Sequence, residues 1–421
     1  MTQQLGTAEA PPPPHDPYVA FSHRAFRWYI ASLWTMTAGS QLQGVIVGWQ
    51  VYSLTHDPLS LGLIGLAEAL PFITAALPGG YLADRWNRRA MSVLALAVLA
   101  LCSVALLVLS ASPGAFVRFG PLPIYATIFA SGVARGILHP ARQAMSSELV
   151  PREHLANAIA WRSSAFQTAA VMGPAAGGLL YGFAGPVASY AVDVGLMLLA
   201  LSFMLGMAYA PAERIMKQAA VLDNLLIGLQ FVWSQPLILG AMSLDLFSVF
   251  LGGAEALLPV FAAEILHVGP QGLGILRAAP ALGAVLMGVL LAHRPPIERA
   301  GRALLTAVGV FALAIIGFGL STSFVLSLAL LAVSGMADSV SVVIRSTLVQ
   351  MLTPGTMLGR VSAVNSVFIG SSNELGAFES GVAARLLGTV PAVVVGGVAA
   401  LAVVGFTAQL VPTLRNLRTI R

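Results

Sequence analysis

Apolar residues in this chain come in blocks of about twenty, separated by short clusters of Pro, Gly and charge. Twenty residues of helix rise ~30 Å, the thickness of a bilayer's hydrocarbon layer. Inside that layer a lone segment must satisfy its own backbone N–H and C=O groups, so blocks of this length are helices. With 57% of its residues hydrophobic and 9% charged, the chain lacks the polar residues a soluble protein of 421 residues needs for its surface. It is an all-α polytopic membrane protein. The single cysteine, Cys102, lies in an apolar run, so no disulfide can form within the chain.

Breaking the chain at Pro, Gly and charge predicts twelve spans, roughly 27–54, 59–82, 90–111, 121–144, 156–182, 186–209, 236–264, 270–292, 301–321, 324–350, 358–388 and 391–412. An even number places both termini on one side. Charge selects that side. Arg24 and Arg27 precede the first span, and Arg85, Arg88 and Arg89 follow the second. Arg152, Arg214, Lys217, Arg294, Arg299, Arg302, Arg360, Arg415, Arg418 and Arg421 fall at the same face. The opposite loops carry Arg118 alone. By the positive-inside rule the basic face and both termini are cytoplasmic, in a bacterial inner membrane. The net charge of +5 therefore reports topology and gives no reason to expect nucleic-acid binding. Residues 1–25, with their run of prolines and no apolar signal core, are expected to form a disordered cytoplasmic tail. Residues 413–421 form a basic one.

The chain also repeats itself. "GLAEALP" (65–71) followed by "LADR" (82–85) returns as "GILRAAP" (274–280) followed by "LAHR" (291–294). Glu68 falls on Arg277, Pro71 on Pro280 and Arg85 on Arg294 with one constant offset. "SGVARGILHPARQ" (131–143) overlays "SGMADSVSVVIRS" (334–346), setting Arg135 on Asp338 and Arg142 on Arg345. Corresponding spans run in the same direction, so residues 26–209 and 236–412 are parallel six-helix halves related by an axis along the membrane normal. Residues 210–235 between them are more polar, with helical spacing of Leu, Ile and Phe, and read as a cytoplasmic linker with an amphipathic helix.

Two such halves, together with two short motifs, resemble the major facilitator superfamily. "GGYLADRWNRR" (79–89) is similar to that family's loop between helices 2 and 3, here Gly80, Asp84, Arg85, Arg88 and Arg89. "GPAAGG" (173–178) resembles the helix-5 signature of its proton-coupled exporters, here Gly173, Pro174, Gly177 and Gly178. The helix-4 pattern departs from it, since Arg135-Gly136 is followed by "ILHPARQA". That last stretch looks most like the branch containing bacterial enterobactin exporters. The resemblance implies alternating access, a seal against proton leak at the helix-5 motif, and a cavity lined by spans 1, 4, 7 and 10.

The charged turn of residues 79–89 has a physical task in such a machine. Asp84 at a helix end can accept backbone N–H groups from a facing helix N-terminus, which in the family's geometry is that of span 11 near Arg360. Arg85 and Arg88 can bridge to Glu148 or Glu153, and Arg142 is assigned to the same cytoplasmic gate. An exposed pair contributes about 0.5–1 kcal/mol, so several together bias a two-state equilibrium.

Ionisable side chains inside spans cost at least ~2.5 kcal/mol on insertion scales, so each is a candidate site. Asp245 and Glu255, ten residues apart in one expected span, fall on almost one helix face. Glu374 and Glu379 sit in the polar stretch "SSNELGAFESG". With Glu68 these are the proton-coupling candidates. Burial pushes a carboxylate towards its neutral form and a nearby Arg towards its charged form, so a rocking protein can switch between the two. Gln41, Gln43, Trp49, Gln50, Arg135 and Asp338 are cavity candidates, the last two as a cross-cavity ion pair. No spaced His/Cys cluster suggests a metal, and no P-loop suggests ATP hydrolysis, so no cofactor is expected. The expected function is export of a small organic molecule, a siderophore or lipophilic drug, by proton antiport through a monomer. Nutrient uptake by symport is the alternative, followed by a non-transporting sensor; an enzyme is not expected.

Overall fold

The computed structural model describes residues 16–209, 221–295, 297–355 and 357–417. Its first half holds α1 (Arg24–Thr55), α2 (Pro58–Arg85), α3 (Arg88–Ala111) and α4 (Leu122–Ser146). The helical run Leu155–Gly206 breaks at Gly185, whose φ of 77° and ψ of 178° suit glycine, into α5 (155–184) and α6 (186–206). A linker helix, Val221–Ser234, leads to the second half. That half holds α7 (Pro236–Gly252), α8 (Gly269–Ala292), α9 (Ala300–Leu320), α10 (Phe324–Leu352), α11 (Leu358–Leu387) and α12 (Thr389–Leu410).

Local chemistry sets the boundaries. Asp57 caps α2 by accepting from the Leu59 N–H at 3.0 Å, with Pro58 in the first turn where its missing N–H is harmless. Asn87 caps α3 by accepting from Arg89 N and Ala90 N at 3.0 and 3.2 Å. Gly388, at φ 92°, turns the chain between α11 and α12. Eight stretches are long and apolar enough on their own to cross a membrane, the α5–α6 run counting as one. α1, α4 and α11 are as long but do not qualify. All three carry polar side chains into the cavity described below, which is why hydropathy alone passes them over.

Two expectations shift. Residues 17–23, assigned to the N-terminal tail, dock on the first half instead. Asn157 Nδ2 and Trp161 Nε1 donate to Pro17 O at 2.8 and 2.9 Å, and Ala20 is fully buried. Residues 1–15 and 210–220 lie outside the described residues. Asp245 and Glu255 do not share a helix face. α7 ends at Gly252, and residues 255–265 continue as short 3-10, α and π turns. Ser380 of α11 donates to the freed carbonyl of Gly253 at 2.7 Å, satisfying a group that lipid cannot.

The tight approaches between halves gather at the end bearing the α1–α2, α5–α6, α7–α8 and α11–α12 connections. A Cβ on Gly65 of α2 would lie 2.7 Å from Ala377 Cβ and 2.9 Å from Glu374 O of α11. One on Gly178 of α5 would lie 2.6 Å from Gly274 Cα of α8 and even nearer Pro270 O. Val45, Tyr52 and Leu61 of the first half join Leu257, Phe261 and Leu276 of the second in one buried apolar cluster. Tyr52 also bonds Glu264, and Arg385 meets Asp57 at 3.3 Å. This end is sealed.

Gly178→Val is expected to prevent the seal. Overpacking of this kind costs about 1–3 kcal/mol, which moves a two-state equilibrium by about 5- to 150-fold. Spin labels at Phe183 and His267, both exposed at this end, check it. A longer-distance population appears in the variant, and identical distance distributions would refute the seal.

Candidate functional site

Between the halves lies a cavity of about 340 Å³. α1 lines it with Met36, Thr37, Ser40, Gln41, Gln43 and Gly44. α2 contributes Glu68 and Phe72, and α4 contributes Arg135, His139 and Arg142. Phe166 of α5, Arg277 of α8 and Glu374 of α11 complete the charged and aromatic wall. The lining runs from Ile64 and Ile128, near the sealed end, to Arg142, four residues from the end of α4 at the terminus-bearing side.

Arg135 and Glu68 form an ion pair across α4 and α2. α4 lies this close because it carries glycine where α2 crosses. A Cβ on Gly132 would meet Pro71 Cγ at 2.7 Å, and one on Gly136 would meet Phe72 O at 2.7 Å. Glu374 has Glu68, Arg135, Arg277 and Glu255 as its electrostatic neighbours, and no ion pair of its own among the described residues. Gln43 is held away from free rotation by Asp193 Oδ2 at 2.9 Å and Ser103 Oγ at 3.3 Å.

Several expected site residues lie elsewhere. Asp245 pairs with Arg345 inside the second half, beside Asp338 in a pinched pocket of α7, α9 and α10. Asp338 therefore does not reach Arg135, which is taken by Glu68. The residue types matched a cross-cavity pair, but neither α7 nor α10, expected to line the cavity, is in its described lining. Glu255 is exposed past the break in α7. Glu379 is half-buried one and a half turns beyond Glu374. Trp49 packs in the apolar cluster at the sealed end. Gln50 turns into the first half, donating to Ser110 Oγ at 3.0 Å and accepting from the Tyr190 hydroxyl at 2.8 Å.

Arg88 and Arg89 of the charged turn bind partners within the first half. Arg88 pairs with Glu148, which also accepts from Tyr209, and donates to Ala83 O and Ala144 O at 3.2 and 3.3 Å. Arg89 reaches Met204 O at 3.2 Å and Leu205 O. Arg85 stacks over Tyr81 at 4.3 Å, and among the described residues it meets no carboxylate. Gly80 is half-buried near the end of α2, and the Asp84 side chain lies outside the described residues. Arg142, assigned to this gate, stands in the cavity wall instead. Pro140 and Arg142 extend α4 as one helix past the turn, which carries the guanidinium inward.

The helix-5 motif is a packing device. Gly173 sits against Ala38 O and Gly177 against Leu42 O, where a Cβ would lie at 2.7 and 2.9 Å. Gly178 faces α8 across the halves, where Pro174 O comes within 2.6 Å of a Cβ on Gly274. Small residues let three helices meet backbone to backbone.

Sequence reasoning passed over Met36, Phe72 and Phe166; Arg277 counts among the charges inside spans and His139 reads as a structural histidine, yet both line the cavity. The repeat held the signal for Arg277, because it places that residue on Glu68, a cavity residue.

Residues 29–377 match the family model described as Major Facilitator Superfamily. The chain belongs to the Major Facilitator Superfamily. It is a multi-pass membrane transporter for a small molecule. Enterobactin exporter EntS of Citrobacter koseri is 28% identical over 353 residues, which cover 82% of this chain and 81% of that protein. EntS of Escherichia coli O1:K1 is 28% identical over 357 residues with the same coverage. The crystal structure of a D-xylose-proton symporter superposes with a TM-score of 0.72 at 14% identity, covering 94% of this chain and all of that one. At that identity the superposition speaks for the fold alone. The fold serves both a named exporter and a named symporter, so direction has to come from the site.

Proposed function

We propose that this transporter exports a small organic molecule, a siderophore or a lipophilic drug, from the cytoplasm across a bacterial inner membrane in exchange for protons. Both termini lie in the cytoplasm, and the two halves alternate access to the central cavity. The observation that carries this is the cavity itself, sealed at one end and holding a carboxylate, Glu374, with no ion pair among the described residues beside the Glu68–Arg135 pair. Such a group can take a proton when the cavity faces one side and release it on the other, once the guanidiniums of Arg135 and Arg277 shift relative to it. The basic face supports the orientation, since the open end of the cavity is then cytoplasmic. The EntS relatives are named exporters, which supports outward movement. In this orientation the Arg88–Glu148–Tyr209 cluster holds the cytoplasmic end of the first half rigid during the motion.

Proton flux in inside-out vesicles tests the proposal. With the vesicle interior acidified, adding a transported catecholate siderophore or lipophilic drug collapses the gradient only where the protein is present. Substrate-dependent movement in which protons and substrate enter together would establish uptake by symport in its place.

A further inference from the structure

Arg142 lacks the partner that its repeat counterpart has. In the second half Arg345 of α10 pairs with Asp245 of α7, both side chains nearly buried. The offset that superposes Glu68 on Arg277 also superposes Met36 on Asp245. In the first half Arg142 of α4 does turn to Met36 of α1, with Nη1 2.7 Å from the thioether sulfur. The same helix pair thus makes the same contact twice. In one half a carboxylate neutralises the guanidinium; in the other a weak, uncharged acceptor stands in its place.

No other carboxylate among the described residues of the first half pairs with Arg142. The Tyr29 hydroxyl donates to the backbone carbonyl of Arg142 and lies within reach of its guanidinium, but it is an uncharged partner. Arg142 Nε is buried without a hydrogen-bond partner, and the Glu68 carboxylate belongs to Arg135. The cavity wall holds three guanidiniums, Arg135, Arg142 and Arg277, against two carboxylates, Glu68 and Glu374. A cation desolvated without a counter-charge is costly. Unlike Arg345, Arg142 lines the transport cavity.

We infer that the substrate supplies this charge: the cargo is an organic anion, bearing a carboxylate or an acidic phenol that pairs with Arg142 where Asp245 pairs with Arg345. Phe72 and Phe166 on the same wall take the apolar body of such a molecule, and the volume is within the range of small-molecule sites. A lipophilic cation meets surplus positive charge there and is disfavoured. The assignment rests on the cavity being the transport site, and deepens the export proposal by naming the class of cargo.

Two dyes on one three-ring skeleton test it, anionic fluorescein and cationic rhodamine 123. Binding to the full-length protein in nanodiscs is read by fluorescence anisotropy, with no pH gradient present. Fluorescein is expected to bind more tightly than rhodamine 123. Arg142→Gln weakens fluorescein about tenfold or more, the usual effect of losing a charge-assisted hydrogen bond. The sharper pair is Met36→Asp against Met36→Asn, which differ by one charge at nearly constant shape. Met36→Asp supplies the missing partner internally and binds fluorescein about tenfold more weakly than Met36→Asn. Preference for rhodamine 123, no fluorescein binding, or equal fluorescein affinity in the two Met36 variants would overturn the assignment. Arg142-dependent binding with no gradient-driven flux would instead overturn proton-coupled export and leave the cargo class standing.

Discussion

Asp245→Asn is expected to destabilise the folded protein rather than only to uncouple transport. Asp245 and Arg345 form their pair with side chains 10% and 4% exposed. Arg345 Nε has no other partner. Neutralising the acid strands a buried guanidinium, and removing one member of a buried pair costs about 3–5 kcal/mol. Against a folding margin of about 5–15 kcal/mol that is a large fraction. The signature is a lowered melting temperature in detergent, with aggregation by size-exclusion chromatography. Combining Asp245→Asn with Arg345→Met is expected to recover much of the loss, because removing both charges leaves nothing stranded. If Asp245→Asn melts like the parent protein, the pair is not structural and Asp245 returns as a proton carrier.

The contrast between the two halves shows how far sequence patterns carry. Twelve helices and their parallel repeat were legible because the bilayer imposes a length and a polarity on every span, and those leave a strong mark on composition. The gaps between the expected spans, at 55–58, 83–89 and 183–185, fall where Asp57 and Asn87 cap helices and Gly185 breaks one. The break in α7 was not legible. "GGAEALLPVF" reads as apolar continuation, and the decisive event is tertiary, the capture of the Gly253 carbonyl by Ser380 more than a hundred residues away. Glu255 was misplaced for that reason alone.

Site residues follow the same rule. Glu68, Arg135 and Glu374 were legible as candidates because a charge inside a span needs an explanation. Which charge meets which was not, since that depends on helix rotation. Asp245, Asp338, Glu68 and Glu374 look alike in sequence, yet two of them stand at the pocket inside one half and two face the shared cavity. The repeat held more than it first yielded. Superposing Met36 on Asp245 and Arg142 on Arg345 places both contacts correctly once one of them is seen.

Glu374→Gln is expected to abolish accumulation against a gradient while leaving substrate exchange intact. One proton moving down a pH gradient supplies about 1.4 kcal/mol per pH unit, a factor of ten in substrate concentration. Across two pH units, antiport of one proton per substrate therefore sustains about a hundredfold accumulation in inside-out vesicles. A neutral amide carries no proton, so the variant should fall to no accumulation at all. Exchange of labelled for unlabelled substrate needs the cavity and its rocking motion but no net proton, so it separates uncoupling from misfolding. Glu68→Gln differs, because it removes the partner of Arg135 and leaves a guanidinium unpaired beside Glu374. That variant should weaken coupling through its effect on Arg135 and also lower the yield of folded protein. Retained uphill accumulation by Glu374→Gln would exclude the unpaired carboxylate as the carrier. Glu68 would then be the remaining carboxylate of the described cavity lining, and the opening and closing of its pair with Arg135 would be the coupling step to test next.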